Sequence, residues 1–305
     1  MATKNIPTYI DPISDFGFKR IFGTEPNKDL LIAFLNVLFR GRKSISDIVF
    51  VSTEKVGDAS SIGTVIFDLL CRGNNQEQFI IEVQKSKQEY LKKRILYYAA
   101  KLTADQAPKG NRQSWKYDFH EVYVIVLMEG FTISEENPTN QYLHDICLCD
   151  RNTGKIFQED IGFIYLELAN FTKEEADLQD DLDNWLYVLK NMSRLNRIPI
   201  YLRKPIFEKL FNIAQYSTLS KEDKHMYDIK LKRKWDEKAV MDYATNSGIQ
   251  KGIEIGEEKG RMEGKIEGRM ESKLEIALKM KKTGFSDAEI HKYTGLSIEE
   301  INKLN

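Results

Sequence analysis

The chain has no apolar run approaching the roughly 18 to 20 residues a membrane-spanning helix needs. Its opening MATKNIPTYIDP has none of the apolar centre of a secretory leader. Neither a membrane protein nor an exported one is expected, and the cytoplasm is the expected compartment. Cysteine is scarce: three residues, an odd number, do not make a disulfide framework, and reduced thiols suit that compartment. The four histidines, at 120, 144, 225 and 291, are too scattered to suggest a zinc site. Net charge is lacking too, with 45 basic against 46 acidic residues. A chain of that balance binds phosphates only if it gathers its cations locally. What remains is a 305-residue chain with 42% hydrophobic content, enough for one large domain or two smaller ones around a real core.

The stretch that stands out is GTVIFDLLCRGNNQEQFIIEVQKSKQ, residues 63 to 88. TVIFDLLC and FIIEVQ are β-branched, aromatic and aliphatic, and GNNQ between them supplies turn residues, so the spacing predicts a hairpin. Asp68 and Glu82 are acids inside apolar runs. With a three-residue loop, Asn74 to Gln76, Asp68 falls opposite Glu82 on one face of the sheet; a slip of one residue would separate them. Alternation along the strand puts Gln84 with Glu82, and Val83 and Lys85 on the other face. Two adjacent carboxylates raise one another's pKa unless a cation lies between them, and with a backbone carbonyl they suit a hard ion such as Mg²⁺. The same spacing also fits a strand pair whose acids face solvent, as antiparallel sheets allow.

Asp68 followed by Glu82-Val83-Gln84 resembles the PD-(D/E)XK nuclease superfamily. Within it, the chain is most similar to the Rpn family of recombination-promoting nucleases and transposases, in which glutamine commonly replaces the motif lysine. DPISDFGFKRIFG, the FDLLC and IIEVQ strands and the RILYYAAKL helix follow that family's order over roughly residues 9 to 130. The resemblance implies an α/β fold, a restriction-endonuclease-like core of mixed sheet flanked by helices, followed here by an all-helical C-terminal region. It implies a metal-dependent DNA endonuclease associated with recombination and mobile elements. Asp68, Glu82 and Gln84 would be catalytic, and Asp68, Glu82 and the Val83 carbonyl would hold Mg²⁺ or Mn²⁺. Asp15, Lys19, Arg94 and Tyr97 would be auxiliary, with Arg94 and Tyr97 near the scissile phosphate. Gln84 cannot donate positive charge, so either turnover is slow or the charge comes from Lys19 or Arg94. The other reading is a catalytically weak nuclease fold that binds DNA or a protein partner.

DNA is the expected partner. The local basic patch it needs is Lys85, Lys87, Lys92 and Lys93, against which stands an ordinary solvated helix start. Asp15 and Lys19, four apart, also make a plain surface pair on a helix. Residues 27 to 39 carry a leucine and phenylalanine stripe stopped by Gly41. ISDIVFVSTEKV at 45 to 56 reads as the first strand. The helix at 89 to 106 turns Leu91, Ile95, Tyr98 and Leu102 to the core and Arg94 and Tyr97 to the neighbouring face. EVYVIVLMEGF at 121 to 131 suits a buried central strand, with two more at 142 to 149 and 162 to 171.

The expected divisions are a nuclease-like core over 1–170, a helical extension over 171–245, a tether over 246–270 and a small helical tail over 271–305. Thr172 with Glu175, Ser220 with Asp223, Ser286 with Glu289 and Ser297 with Glu300 have capping spacing. In the tether, glycine recurs at 248, 252, 256, 260, 264 and 268. Each costs a helix about 1 kcal/mol relative to alanine. The expectation is a charged, semi-flexible helical tether and a self-association element for a homo-oligomer.

Overall fold

The computed structural model describes residues 7–55, 65–108, 115–133 and 141–304. Its elements in chain order are α1 (Asp15–Phe22), α2 (Lys28–Phe39), β1 (Ile48–Phe50), β2 (Glu54–Lys55), β3 (Val65–Ile66), β4 (Leu69–Gly73) and β5 (Gln78–Gln84). There follow α3 (Leu91–Asp105), β6 (Val122–Met128), β7 (Leu143–Cys149), β8 (Ile156–Glu167), α4 (Asp181–Asn191) and α5 (Pro205–Ala214). The chain ends with α6 (Lys221–Lys282), α7 (Asp287–Thr294) and α8 (Ile298–Asn302). It divides into two compact units, Met1–Asp228 and Ile229–Asn305.

The fold is α/β. Six strands form one mixed sheet in the order β1-β4-β5-β6-β8-β7. β5 with β6 and β6 with β8 are parallel, and the other pairs are antiparallel. A parallel pair needs a crossover, and α3 provides it between β5 and β6. Every residue of β6, VYVIVLM, is buried, because helices cover both faces of the sheet there. On one face Ile80 and the even-numbered residues of β6 pack against Leu91, Ile95, Ala99 and Leu102 of α3. On the other, Phe39 of α2 meets Phe79 and Tyr123 with ring centroids 5.7 and 4.9 Å apart. Behind that face Phe22, Phe34, Trp185 and Phe207 tie α1, α2, α4 and α5 together, Trp185 and Phe207 lying 5.0 Å apart.

The hairpin forms in the anticipated register. The loop is Asn74 to Gln76, closed by Gly73 N–H donating to the Glu77 carbonyl at 2.8 Å, and Gln76 takes a left-handed φ of 67°. Leu69 pairs with Ile81, a line that extends to Asp68 and Glu82. The first arm is not one strand, however. It breaks at Phe67 and Asp68, where β3 leaves to pair with β2 in a separate two-stranded sheet. Phe67 N–H turns away to the Thr53 carbonyl at 3.0 Å, so Asp68 is released from the ladder. Thr64, expected to open that strand, lies outside the described residues. The segment 45–56 is likewise split, between β1 and β2.

Helix boundaries differ in two places. Thr172 does not cap a helix. Glu174 and Asp177 form a capping box around a short 3-10 turn, and α4 begins at Asp181, with the Asp180 side chain accepting from Asp183 N–H at 2.8 Å. The helix expected at the start of the 271–305 tail is the end of α6. In the second unit Ala277, Ile290, Leu296 and Ile301 form a small core. Ser286 with Glu289 and Ser297 with Glu300 close reciprocal capping boxes there, and Gly295 ends α7 at φ 71°.

Candidate active site

β5 places the site. Gln84's carbonyl accepts from Glu129 N–H at 3.0 Å, and Gln78 N–H donates to the Glu121 carbonyl at 2.8 Å. The main chain of the even-numbered residues therefore bonds to β6, and that of Val83 projects toward β4. Asp68, freed from the ladder, fills the gap. Its Oδ2 accepts from Val83 N–H at 2.8 Å, and its own N–H donates to Glu82 Oε1 at 3.2 Å. A strand residue's N–H and C=O leave on the same side, so the Val83 carbonyl projects to the Asp68 side as well.

The side chains of Glu82 and Gln84 share the α3 face and are both buried, with Glu82 only 4% exposed. Gln84 Nε2 donates to Glu82 Oε2 at 3.4 Å. Burial, and next the nearby charge of Asp68, push the Glu82 carboxyl up to about 7. Burial raises Asp68 also, with the Val83 N–H and the charge of Lys19 pulling back. Two acids that each resist ionising are thus held against one another by the backbone. A divalent cation fits this donor set, since it would favour both anions and accept a main-chain carbonyl. Among the described residues no group of three or more His, Cys, Asp or Glu side chains gathers as a metal cluster. The set is two carboxylates and a carbonyl.

Helices α1 and α3 bring the cations. Lys19 pairs with Asp15 at 2.8 Å with both side chains half exposed, and its charge reaches Asp68 and Glu82. Arg94 Nη1 donates to Gln88 Oε1, and its Cζ lies 5.8 Å from the centre of the Tyr98 ring. Arg94 Nε and Nη2 are buried and have no hydrogen-bond partner.

The tyrosine beside the carboxylates is Tyr98, not Tyr97. Tyr97 is 47% exposed. Tyr98 packs edge-on against Phe67 at 5.1 Å, and its phenol is raised by burial and then by the charge of Glu82. The helical spacing put Tyr98 correctly on the sheet-facing stripe. At that level of the stripe Tyr98 meets both the apolar Phe67 and the acids Glu82 and Asp68, and the acids in the strands were the signal available.

Lys85 does not join an exposed patch. It lies on the opposite side of β5 from Glu82, paired with Asp11 and, at 3.0 Å, with Glu129. Lys87, Lys92 and Lys93 are exposed and, with Gln88, Phe131 and Tyr165, line a cavity of about 410 Å³.

Residues 12–244 match the model of the PD-(D/E)XK nuclease family transposase. The chain belongs to that family. No curated protein and no solved structure matches it. The PD-(D/E)XK family region takes in the whole sheet, α1 to α5 and the opening of α6, and so contains every candidate site residue. Membership supports a nuclease- or transposase-associated role and agrees with the mixed sheet flanked by helices. Residues 245–305 lie beyond the family region. Among the described residues no helix is long and apolar enough to cross a membrane.

Proposed function

We propose that the protein is a metal-dependent DNA endonuclease that hydrolyses phosphodiester bonds. The observation that carries this reading is the reciprocal bonding of Asp68 with Glu82 and Val83, which holds the half-buried Asp68 carboxylate against the buried Glu82 carboxylate. Asp68, Glu82 and the Val83 carbonyl would hold Mg²⁺ or Mn²⁺. When bound, such an ion lowers the pKa of an attacking water and neutralises charge on the phosphate. The protein's own part is to bury Glu82 and to fix the directions of both carboxylates through the backbone. Gln84, bonded to Glu82, orients that carboxylate and offers its remaining amide groups to water or phosphate. Lys87, Lys92 and Lys93, exposed around one cavity, would supply local positive surface for the DNA backbone.

Asp68→Ala and Glu82→Ala are expected to abolish divalent-ion-dependent cleavage of plasmid DNA while circular dichroism shows a retained fold. Cleavage at the wild-type rate would refute the assignment. A second reading, a weak or inactive nuclease fold that binds DNA, is favoured by one feature. Glu82 has an amide from Gln84 where a lysine would place a cation. Titration with Mg²⁺ separates the two, since an inactive site binds DNA without cutting it.

A further inference from the structure

The site's cation is the question left by Gln84. Of the two candidates, Lys19 is already matched by Asp15 at 2.8 Å and stands half in solvent, where its charge is screened. Arg94 is different in kind. A guanidinium carries five N–H donors, and those on Nε and Nη2 are buried without a hydrogen-bond partner. Buried donors are nearly always satisfied, and a charged group left unsatisfied is costly, so such a group marks a place where an acceptor belongs. Nothing in the helix requires arginine there. Its stem could pack on Tyr98 without the charged fork. Gln88, which holds Nη1, is exposed and also lines the 410 Å³ cavity beside Lys87, Lys92 and Lys93. Its amide is a weak, displaceable partner for a cation, and an anionic oxygen is a stronger one.

We propose that Arg94 is the phosphate-receiving cation of this site, taking a non-bridging oxygen of the DNA strand and supplying the charge that a lysine at position 84 would carry. The proposal rests on the nuclease reading and sharpens it. The exposed Gln88 yields when the phosphate arrives. The orphaned N–H groups then gain their acceptor, and the forked geometry of the guanidinium holds the phosphate in one orientation. Asp68 and Glu82 lie within reach of the same charge.

The test uses the full chain and a labelled DNA duplex, first without any divalent ion. Arg94→Met, which keeps an apolar stem, is expected to lower the slope of log affinity against log salt by about 0.9, the loss of one phosphate contact. With Mg²⁺ its single-turnover cleavage is expected to fall roughly 100- to 1,000-fold. Arg94→Lys is expected to keep the salt slope and to cleave about tenfold more slowly, because it retains charge but not the fork. An unchanged slope and an unchanged rate in Arg94→Met would overturn the proposal. Should Arg94→Met not fold, Arg94→Lys decides, an unchanged rate overturning it and a slower rate at unchanged slope supporting it. Cleavage that survives Asp68→Ala would sink the nuclease reading instead. The salt slope, read without metal, judges Arg94 separately.

Discussion

At the scale of single residues, burial of Glu82 couples folding to pH. Its carboxyl is raised from the usual 4.5 to about 7, first by burial and then by Asp68. Between those values the folded chain holds a proton that the unfolded chain has released, so stability falls as pH rises. The contribution is fully present below about 4.5 and is lost as pH rises through about 7. The loss attributable to this group is on the order of 3 kcal/mol. A divalent ion bound to the pair would reverse it, since it favours the ionised form. Thermal melts are therefore expected to show a larger stabilisation by Mg²⁺ at pH 8 than at pH 5.5. Glu82→Gln is expected to melt higher than wild type at pH 8 without metal and to lose the Mg²⁺ response. Equal Mg²⁺ shifts at both pH values would contradict this account.

At the scale of elements, the sequence allowed more to be read in β5 than in the strand before it. The facing of Glu82 with Gln84 followed from alternation, because β5 is a regular seven-residue strand, and the pairing of Asp68 with Glu82 followed once Asn74 to Gln76 was taken as the loop. The break at Phe67 and Asp68 was not legible. TVIFDLLC has strand propensity throughout, and only the main-chain bond from Phe67 to Thr53 and the split of β2 and β3 into another sheet release Asp68. Lys85 was assigned to the right side of β5, but its acidic neighbours come from residues 11 and 129, contacts that local patterning does not reveal. The start of α1 shows the same limit. Gly17 stands in a helix, where alanine ordinarily gains about 1 kcal/mol. A Cβ at this position would come within 2.1 Å of the Asp11 carbonyl oxygen, with the Ser14 hydroxyl at 2.9 Å. That oxygen is backbone, fixed by bonds from Ser14, so it cannot swing aside. Gly17→Ala is expected to destabilise by roughly 1–3 kcal/mol, the usual cost of overpacking. Denaturant unfolding measures it, and a variant as stable as wild type would show that the α1 entry can relax. Because α1 carries Asp15 and Lys19, the same substitution is expected to slow cleavage.

At the scale of the whole molecule, the family region ends at residue 244 and the glycine repeat begins at 248, so the repeat belongs to what this chain adds to the nuclease core. α6 is one continuous helix through all six glycines. Their combined penalty is about 6 kcal/mol in propensity. Exposed ion pairs such as Lys259 with Glu263 at 3.8 Å contribute only tenths of a kcal/mol each. Among the described residues nothing lies within 4 Å of a Cβ built at any of the six. In the single chain, then, alanine at these positions adds a methyl to open space and removes backbone freedom from the unfolded state. The combined substitution Gly252→Ala, Gly256→Ala, Gly260→Ala and Gly264→Ala is expected to raise the helical signal of the full chain. Stability of the second unit should gain up to about 1 kcal/mol per site. The opposite result, an earlier melt together with a smaller mass by light scattering, would mean that a helix of another copy lies along the glycines in solution. The sign of one measurement thus separates a helix that stands by itself from a self-association element, because the same methyl group is welcome on a bare helix and excluded from a close helix contact.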